Sequence, residues 1–65
     1  MFAIRLYREK LGLTQQELAT RLNVTQGLIS QWELGETFPG ASKLPELAKL
    51  LGCTIDDLFG RPAVN

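Results

Sequence analysis

Uncharged hydrogen-bonding side chains are concentrated in one short stretch of the sequence, residues 25–31. If this stretch is helical, with each residue advancing about 100 degrees, Gln26, Ser30 and Gln31 share an arc with Gly27. The apolar residues fall on the opposite arc: Leu28, Ile29 and Trp32. A carboxamide donates and accepts a hydrogen bond at once, which matches the N6/N7 edge of adenine. Taken alone, the polar arc is suited to contact bases and equally suited to contact only water.

Side chains typical of enzymes are scarce. The sequence has no histidine and one cysteine, Cys53, which we interpret as a small hydrophobic residue rather than a redox sensor. The usual zinc ligands, the commonest general base and every imidazole-dependent nucleophile are therefore missing. Glu46, Asp56 and Asp57 lie in predicted first helical turns, where carboxylates complement the helix dipole. We expect no enzyme activity, no cofactor and no metal site.

Five short helices must position the polar arc. Apolar residues at helical spacing predict them at residues 4–11, 15–22, 26–33, 43–51 and 55–59. The predicted N-caps are Thr14, Thr25, Ser42 and Thr54. Thr14 and Glu17 have the spacing of a capping box. Four of these helices are followed by a residue that tolerates a left-handed backbone: Gly12, Asn23, Gly35 and Gly52.

The apolar stripes of these helices predict one core. Its expected members are Ile4, Tyr7, Leu11, Leu18, Ala19, Leu22, Ile29, Trp32, Leu44, Leu47, Ala48 and Leu51. Trp32 is in phase with Ile29, so we assign it to the core rather than to a ligand platform. There is no strand pattern and no apolar run near the ~20 residues that span a bilayer. We expect one all-α domain at residues 1–60, with a short tail at 61–65.

Caps, turns and core residues follow one another in four segments: Thr14-Gln15-x-Glu17-Leu18-Ala19, Val24-Thr25-Gln26, Ile29-Ser30-Gln31-Trp32-Glu33-x-Gly35 and Leu47-Ala48-x-x-Leu51-Gly52-Cys53-x-x-x-Asp57-Leu58-Phe59. This order resembles the Cro/C1-type (XRE-like) helix-turn-helix family, whose best-known members are the lambdoid phage repressors. The likeness covers about residues 4–59. It implies a compact five-helix lambda-repressor-like domain in which helix 26–33 enters the major groove of duplex DNA.

The resemblance also implies roles for single residues. The base-reading positions are Gln26, Gly27, Ser30 and Gln31. In the family the position of Gly27 often has a side chain that touches bases or a thymine methyl group, so glycine removes that contact.

Phosphate contacts are implied for Gln15, at the start of the second helix, and for Thr25. The family's loop after the recognition helix is often basic, but here residues 36–38 include no cation, and Lys43 is the nearest one beyond them. We therefore expect Lys43 to contact phosphate. Arg8 and Glu33 occupy the positions of a structural ion pair in the family.

These residues predict a sequence-specific DNA-binding regulator, most simply a cytoplasmic repressor, that binds a pseudo-palindromic operator as a homodimer, formed either in free solution or only on DNA. The alternative is an antitoxin or another partner-binding module with the same fold, which the net charge of zero favours somewhat. The expected subunit contact lies near the connection between the fourth and fifth helices and at residues 57–59. A second apolar stripe, Phe2 and Leu6, either packs under Pro62 and Val64 or forms a rival subunit contact.

Overall fold

The computed structural model describes residues 3–60, which form five α-helices and no strand. The helices are α1 (Ile4–Lys10), α2 (Gln15–Leu22), α3 (Gln26–Leu34), α4 (Lys43–Leu51) and α5 (Ile55–Leu58). The all-α prediction is confirmed, with each helix end within one residue of its predicted place. No helix within residues 3–60 is long and apolar enough to cross a membrane. The predicted tail, residues 61–65, lies outside the described residues.

Three of the predicted N-caps are formed by threonine. The Thr14 hydroxyl accepts a hydrogen bond from the Glu17 amide at 3.0 Å, and the Glu17 carboxylate accepts one from the Thr14 amide at 2.8 Å. Thr54 and Asp57 form the same reciprocal pair at the start of α5. At the start of α3, the Thr25 hydroxyl oxygen accepts a hydrogen bond from the Leu28 amide at 3.2 Å. Because these bonds satisfy amides that no helical carbonyl reaches, they fix where each helix begins.

The prediction that the Ser42 side chain caps the fourth helix is wrong. Its backbone already has helical angles, φ −75° and ψ −27°, and its side chain makes no capping hydrogen bond. The amides of Lys43 and Leu44 instead donate to the Gly40 carbonyl, both at 3.0 Å. The chain therefore enters α4 through a preceding turn that satisfies the first amides from the backbone, so a side-chain cap is not needed.

The connection between α2 and α3 is only three residues long. Asn23 has φ 60° and ψ 43°, a left-handed conformation that asparagine tolerates better than most residues. The amide of Val24 then donates to the Ala19 carbonyl at 3.0 Å, closing the end of α2. This short turn changes the direction of the chain between α2 and α3, as a helix-turn-helix requires.

The buried side chains form one core shared by all five helices. Its members are Ile4, Leu18, Ala19, Leu22, Ile29, Trp32, Leu47, Ala48, Leu51 and Leu58. Tyr7 and Leu44 are partly buried against it, but Leu11, also expected there, is 52% exposed. Because α1 ends at Lys10, Leu11 belongs to the following turn and its side chain leaves the helical stripe. Leu6 is half exposed, whereas Phe2 of the same stripe and the predicted partners Pro62 and Val64 lie outside the described residues.

Candidate nucleic-acid interface

The four predicted base-reading residues lie on one side of α3, and we call them the recognition face: Gln26, Gly27, Ser30 and Gln31. Ser30 is partly buried and the other three are exposed. Ile29 and Trp32, on the opposite side of the helix, are 0% and 2% exposed. The core thus anchors α3 by its apolar side and leaves the polar side open.

A loop residue extends this face. The Thr37 hydroxyl donates to the Gln31 side-chain oxygen at 3.4 Å, and the Thr37 amide donates to the Gln31 carbonyl at 3.5 Å. Sequence analysis did not single out Thr37 for this contact. Its spacing of six residues from Gln31 spans the end of α3, so helical periodicity could not indicate the contact.

Three carboxyl or carboxamide side chains connect the recognition face to the interior. The Gln15 amide group donates to Glu33 at 3.0 Å, and the Gln15 oxygen accepts a long hydrogen bond from Gln26 at 3.4 Å. Gln15 is partly buried at the start of α2, whereas Gln26 is exposed at the start of α3. Gln15 therefore fixes the starting ends of the two helices relative to each other. This arrangement depends on how the helices cross, so the sequence pattern alone gave no indication of it.

Arg8 and Glu33 form the ion pair that the resemblance implies. The guanidinium donates to the two carboxylate oxygens at 2.7 and 3.1 Å, and to the Leu13 carbonyl at 2.8 Å. The two side chains are 10% and 6% exposed. The hydrogen bond to Glu33 raises the pKa of Arg8, so the guanidinium stays charged. With no buried side-chain polar atom left unpaired in residues 3–60, this network joins α1, α2 and α3 without an orphaned group.

Lys43, the first residue of α4, has its side chain at the C-terminal end of α2. Its ammonium group donates to the Leu22 carbonyl at 3.0 Å and lies 4.0 Å from the Glu46 carboxylate. A cation at the last carbonyls of a helix complements the helix dipole. Lys43 therefore has a structural partner of its own, apart from the network at the start of α2.

Charge is absent from the recognition face itself. Residues 25–31 contain no ionisable side chain. The exposed chemistry of this face is therefore that of carboxamides, hydroxyls and backbone.

Within residues 3–60 no group of three or more cysteine, aspartate or glutamate side chains is placed to hold a metal ion.

The model of the helix-turn-helix family matches residues 4–58 of this chain, almost its whole length. The chain belongs to the Cro/C1-type helix-turn-helix family. It is 42% identical over 56 residues to repressor protein C2 of Salmonella phage P22. It is equally similar, 42% over 57 residues, to an uncharacterized HTH-type transcriptional regulator of Methanothermobacter thermautotrophicus. With the HTH-type transcriptional activator BcrR of Enterococcus faecalis it shares 41% identity over 48 residues.

These relatives differ in how much of them the chain represents. The matched segments cover 86%, 86% and 74% of this chain, but only 26% of the P22 protein and 24% of BcrR, against 83% of the archaeal regulator. The chain thus spans about a quarter of two of these relatives, so the likeness concerns one domain of each.

Solved structures agree with this assignment. The P22 c2 repressor in complex with a synthetic operator superposes with a TM-score of 0.81 at 42% identity, covering 85% of this chain and 83% of that one. A transcriptional regulator from Listeria innocua superposes with a TM-score of 0.76 at 33% identity, covering 94% and 56%. The fold expected from the resemblance is confirmed.

Proposed function

We propose that this domain binds duplex DNA through the recognition face and acts as a sequence-specific transcriptional regulator. The observation that supports this most directly is an exposed, uncharged hydrogen-bonding face on a helix whose opposite side is fixed in the core. The P22 c2 repressor, which has the same fold, was solved with an operator. The relatives above are a repressor, an activator and a regulator of transcription, which favours this function over an antitoxin.

Gln26 and Gln31 are the base-reading side chains in this proposal, because both are exposed and each presents a donor and an acceptor. Gln15, which accepts from Gln26, limits the positions that the Gln26 amide can take. Thr37 does the same for Gln31. Ser30 is partly buried and has a short side chain, so it can contact only a base that lies close to the helix. Gly27 has no side chain and can offer the duplex only its backbone atoms.

Gln15 and Thr25 are proposed to contact phosphate. The Gln15 amide nitrogen has two hydrogens, and Glu33 accepts only one of them, so a donor is left for the duplex. The Thr25 oxygen accepts from the Leu28 amide, which leaves its hydroxyl hydrogen available as a donor. Hydrogen bonds of this kind position a protein on DNA without distinguishing sequences.

Lys43 is the weakest member of the proposed phosphate-contacting set. Its ammonium group has hydrogens to spare beyond the one donated to Leu22. The nearby Glu46 carboxylate, however, offsets its charge. We therefore expect Lys43 to contribute less to DNA affinity than Gln15.

A dimer is part of the proposal. One short helix covers only a few base pairs, which is too little to distinguish one site among many genomic competitors. Two recognition helices related by a two-fold axis, roughly 34 Å apart, would enter successive major grooves of a pseudo-palindromic site. The half-exposed surface around Phe59 is the preferred subunit contact, and Leu6 on α1 is the rival. Such a regulator would work in the cytoplasm, as a repressor when its site overlaps a promoter.

The direct experiment is selection of bound sequences from a random duplex library, followed by titration of the best site. We expect a two-half-site consensus and, by ultracentrifugation, two protein chains on each duplex. A persistent one-to-one complex in excess protein would exclude the dimer. Recovery of no consensus would exclude sequence-specific binding altogether.

Salt dependence tests how the duplex is held. Because the net charge of the chain is zero, lysine and arginine can neutralise few phosphates, so we expect few counterions to be released on binding. We expect log K to fall against log salt less steeply than about −5. A slope near −10 would show instead that lysine and arginine side chains dominate the contact.

A further inference from the structure

The loop after α3 turns back onto Gln31, a residue of the recognition face. Gly35, with φ 79°, ends the helix in a left-handed conformation that reverses the chain. The amides of Glu36 and Thr37 then donate to the Gln31 carbonyl at 2.9 and 3.5 Å. The backbone at the end of α3 therefore holds Thr37 beside the Gln31 side chain.

The Thr37 hydroxyl donates to Oε1 of Gln31 at 3.4 Å. Within residues 3–60 this is the one hydrogen bond made by the Gln31 side chain. Both residues are exposed, so water can replace either partner and the bond contributes little to folding. The contact therefore acts on the orientation of the Gln31 carboxamide rather than on the stability of the fold.

The two ends of this carboxamide differ in what they have left to offer. Oε1 has two lone pairs, and the Thr37 hydroxyl occupies one of them. Nε2 has two hydrogens, and no group within residues 3–60 accepts either of them. Because Oε1 is turned toward the loop, Nε2 lies at the other end of the planar group with both hydrogens available to a ligand.

We infer that Thr37 is a positioning residue for sequence recognition, whose hydroxyl holds Gln31 so that it contacts its base mainly as a donor. The inference rests on the proposed DNA-binding function and deepens it. Guanine presents two acceptors in the major groove, O6 and N7, whereas bidentate contact with adenine also requires the glutamine oxygen. Gln31 held by Thr37 therefore favours guanine over adenine at its base pair.

The test uses the best site selected by the unmodified protein. Gln31→Ala first identifies the base pair whose preference depends on this side chain. Thr37→Val keeps the branched shape but removes the hydroxyl. We expect it to weaken the preference for guanine over adenine at that same base pair. Affinity for the site should fall about threefold to tenfold, the loss that one hydrogen bond accounts for.

Conservative replacement distinguishes the hydroxyl from the rest of the side chain. Thr37→Ser retains the hydroxyl, so it should keep both the affinity and the base preference of the unmodified protein. Neither variant should change affinity for random duplex. The urea midpoint should also stay where it is, because substitution of an exposed residue changes stability little.

A double variant shows whether Thr37 acts through Gln31. In a Gln31→Ala background the hydroxyl has no carboxamide to hold, so adding Thr37→Val should change affinity by less than about twofold. The full loss in both backgrounds would mean that Thr37 contacts the duplex by itself, which overturns a positioning role.

Thr20→Val is the matched control. Thr20 is exposed on α2, and its hydroxyl oxygen accepts from the Gln16 amide group at 3.3 Å. The same substitution thus removes another exposed contact between a threonine and a glutamine, but outside the recognition face. We expect unchanged affinity and unchanged base preference.

The remaining outcomes separate this inference from the proposed function. If the unmodified protein selects no sequence, the proposed function fails and this inference fails with it. If it selects a site and Thr37→Val keeps the full preference at the Gln31 base pair, only the inference is overturned. Adenine selected at that base pair, an equal loss on selected and random duplex, or a lower urea midpoint for Thr37→Val would also overturn it.

Discussion

One hydrogen-bonded series of side chains has a buried end at Arg8 and an exposed end at Gln26. At the buried end, Arg8 and Glu33 are 10% and 6% exposed and joined by two short hydrogen bonds. At the exposed end, Gln26 reaches Gln15 by one long hydrogen bond of 3.4 Å. A polar group removed from water is costly when its partner is lost, whereas an exposed one returns to water. The same chemistry therefore stabilises the fold at one end and is free to bind a ligand at the other.

The largest effect is expected at the buried end. Glu33→Ala leaves the Arg8 guanidinium desolvated without its carboxylate, which should lower the free energy of unfolding by about 2–4 kcal/mol. Urea denaturation measures this value. A change within about 0.5 kcal/mol would mean that the pair is solvated and the comparison fails. Glu33→Gln keeps the shape and one acceptor, so it should fall between alanine and the unmodified protein.

At the exposed end we expect a loss in binding instead of stability. Gln26→Ala should weaken binding to the best selected site by roughly 1–3 kcal/mol and relax preference at one or two base pairs. Its urea midpoint should barely move, because Gln26 is exposed and replaced by a good helix former. Titrations on selected and random duplexes measure the difference. Equal losses on both would remove Gln26 from the base-reading set.

Gln15 lies between the two ends of the series. Its replacement should lower both the stability of the fold and the affinity for DNA, each by a smaller amount than at the ends. Gln15→Ala removes its hydrogen bond to Glu33 and its proposed phosphate contact. We expect about 1 kcal/mol lower stability, the usual net value of one hydrogen bond, and a similar loss on every duplex sequence. The same two assays apply. A loss confined to the selected site would move Gln15 from positioning to base recognition.

The smallest effect is expected at the second ion pair of α1. Arg5 donates to Glu9 at 3.1 Å, but the side chains are 72% and 56% exposed. Glu9→Ala should change the free energy of unfolding by less than about 0.5 kcal/mol, and 1 M salt should remove what difference there is. A loss comparable to that of Glu33→Ala would show that burial does not distinguish the two pairs.

Local rules predicted the helices well because their ends are fixed by neighbouring residues. The Thr14 capping box and the left-handed Asn23 need only a few residues of sequence to be anticipated. Ser42 has the right residue type for a cap but follows a backbone turn that already satisfies the amides. Residue type alone could not distinguish these two ways of starting a helix.

Polar contacts between helices were predicted only where the family resemblance supplied them. Arg8 and Glu33 are 25 residues apart and were paired by that resemblance, not by spacing. The bonds of Gln15 to Glu33 and Gln26 had no such guide, since they depend on the crossing of α2 and α3. The partner of Lys43 was missed for the same reason.

Trp32, the single tryptophan of the chain, gives this domain its own optical probe. It is 2% exposed and adjoins Glu33, yet it lies on the side of α3 opposite the recognition face. Its fluorescence should therefore shift to longer wavelength when the core opens and change little on contact with a duplex. Unfolding can thus be followed in the presence of DNA without an added label. The Trp32 signal then reports the stability of the fold separately from contact with the duplex.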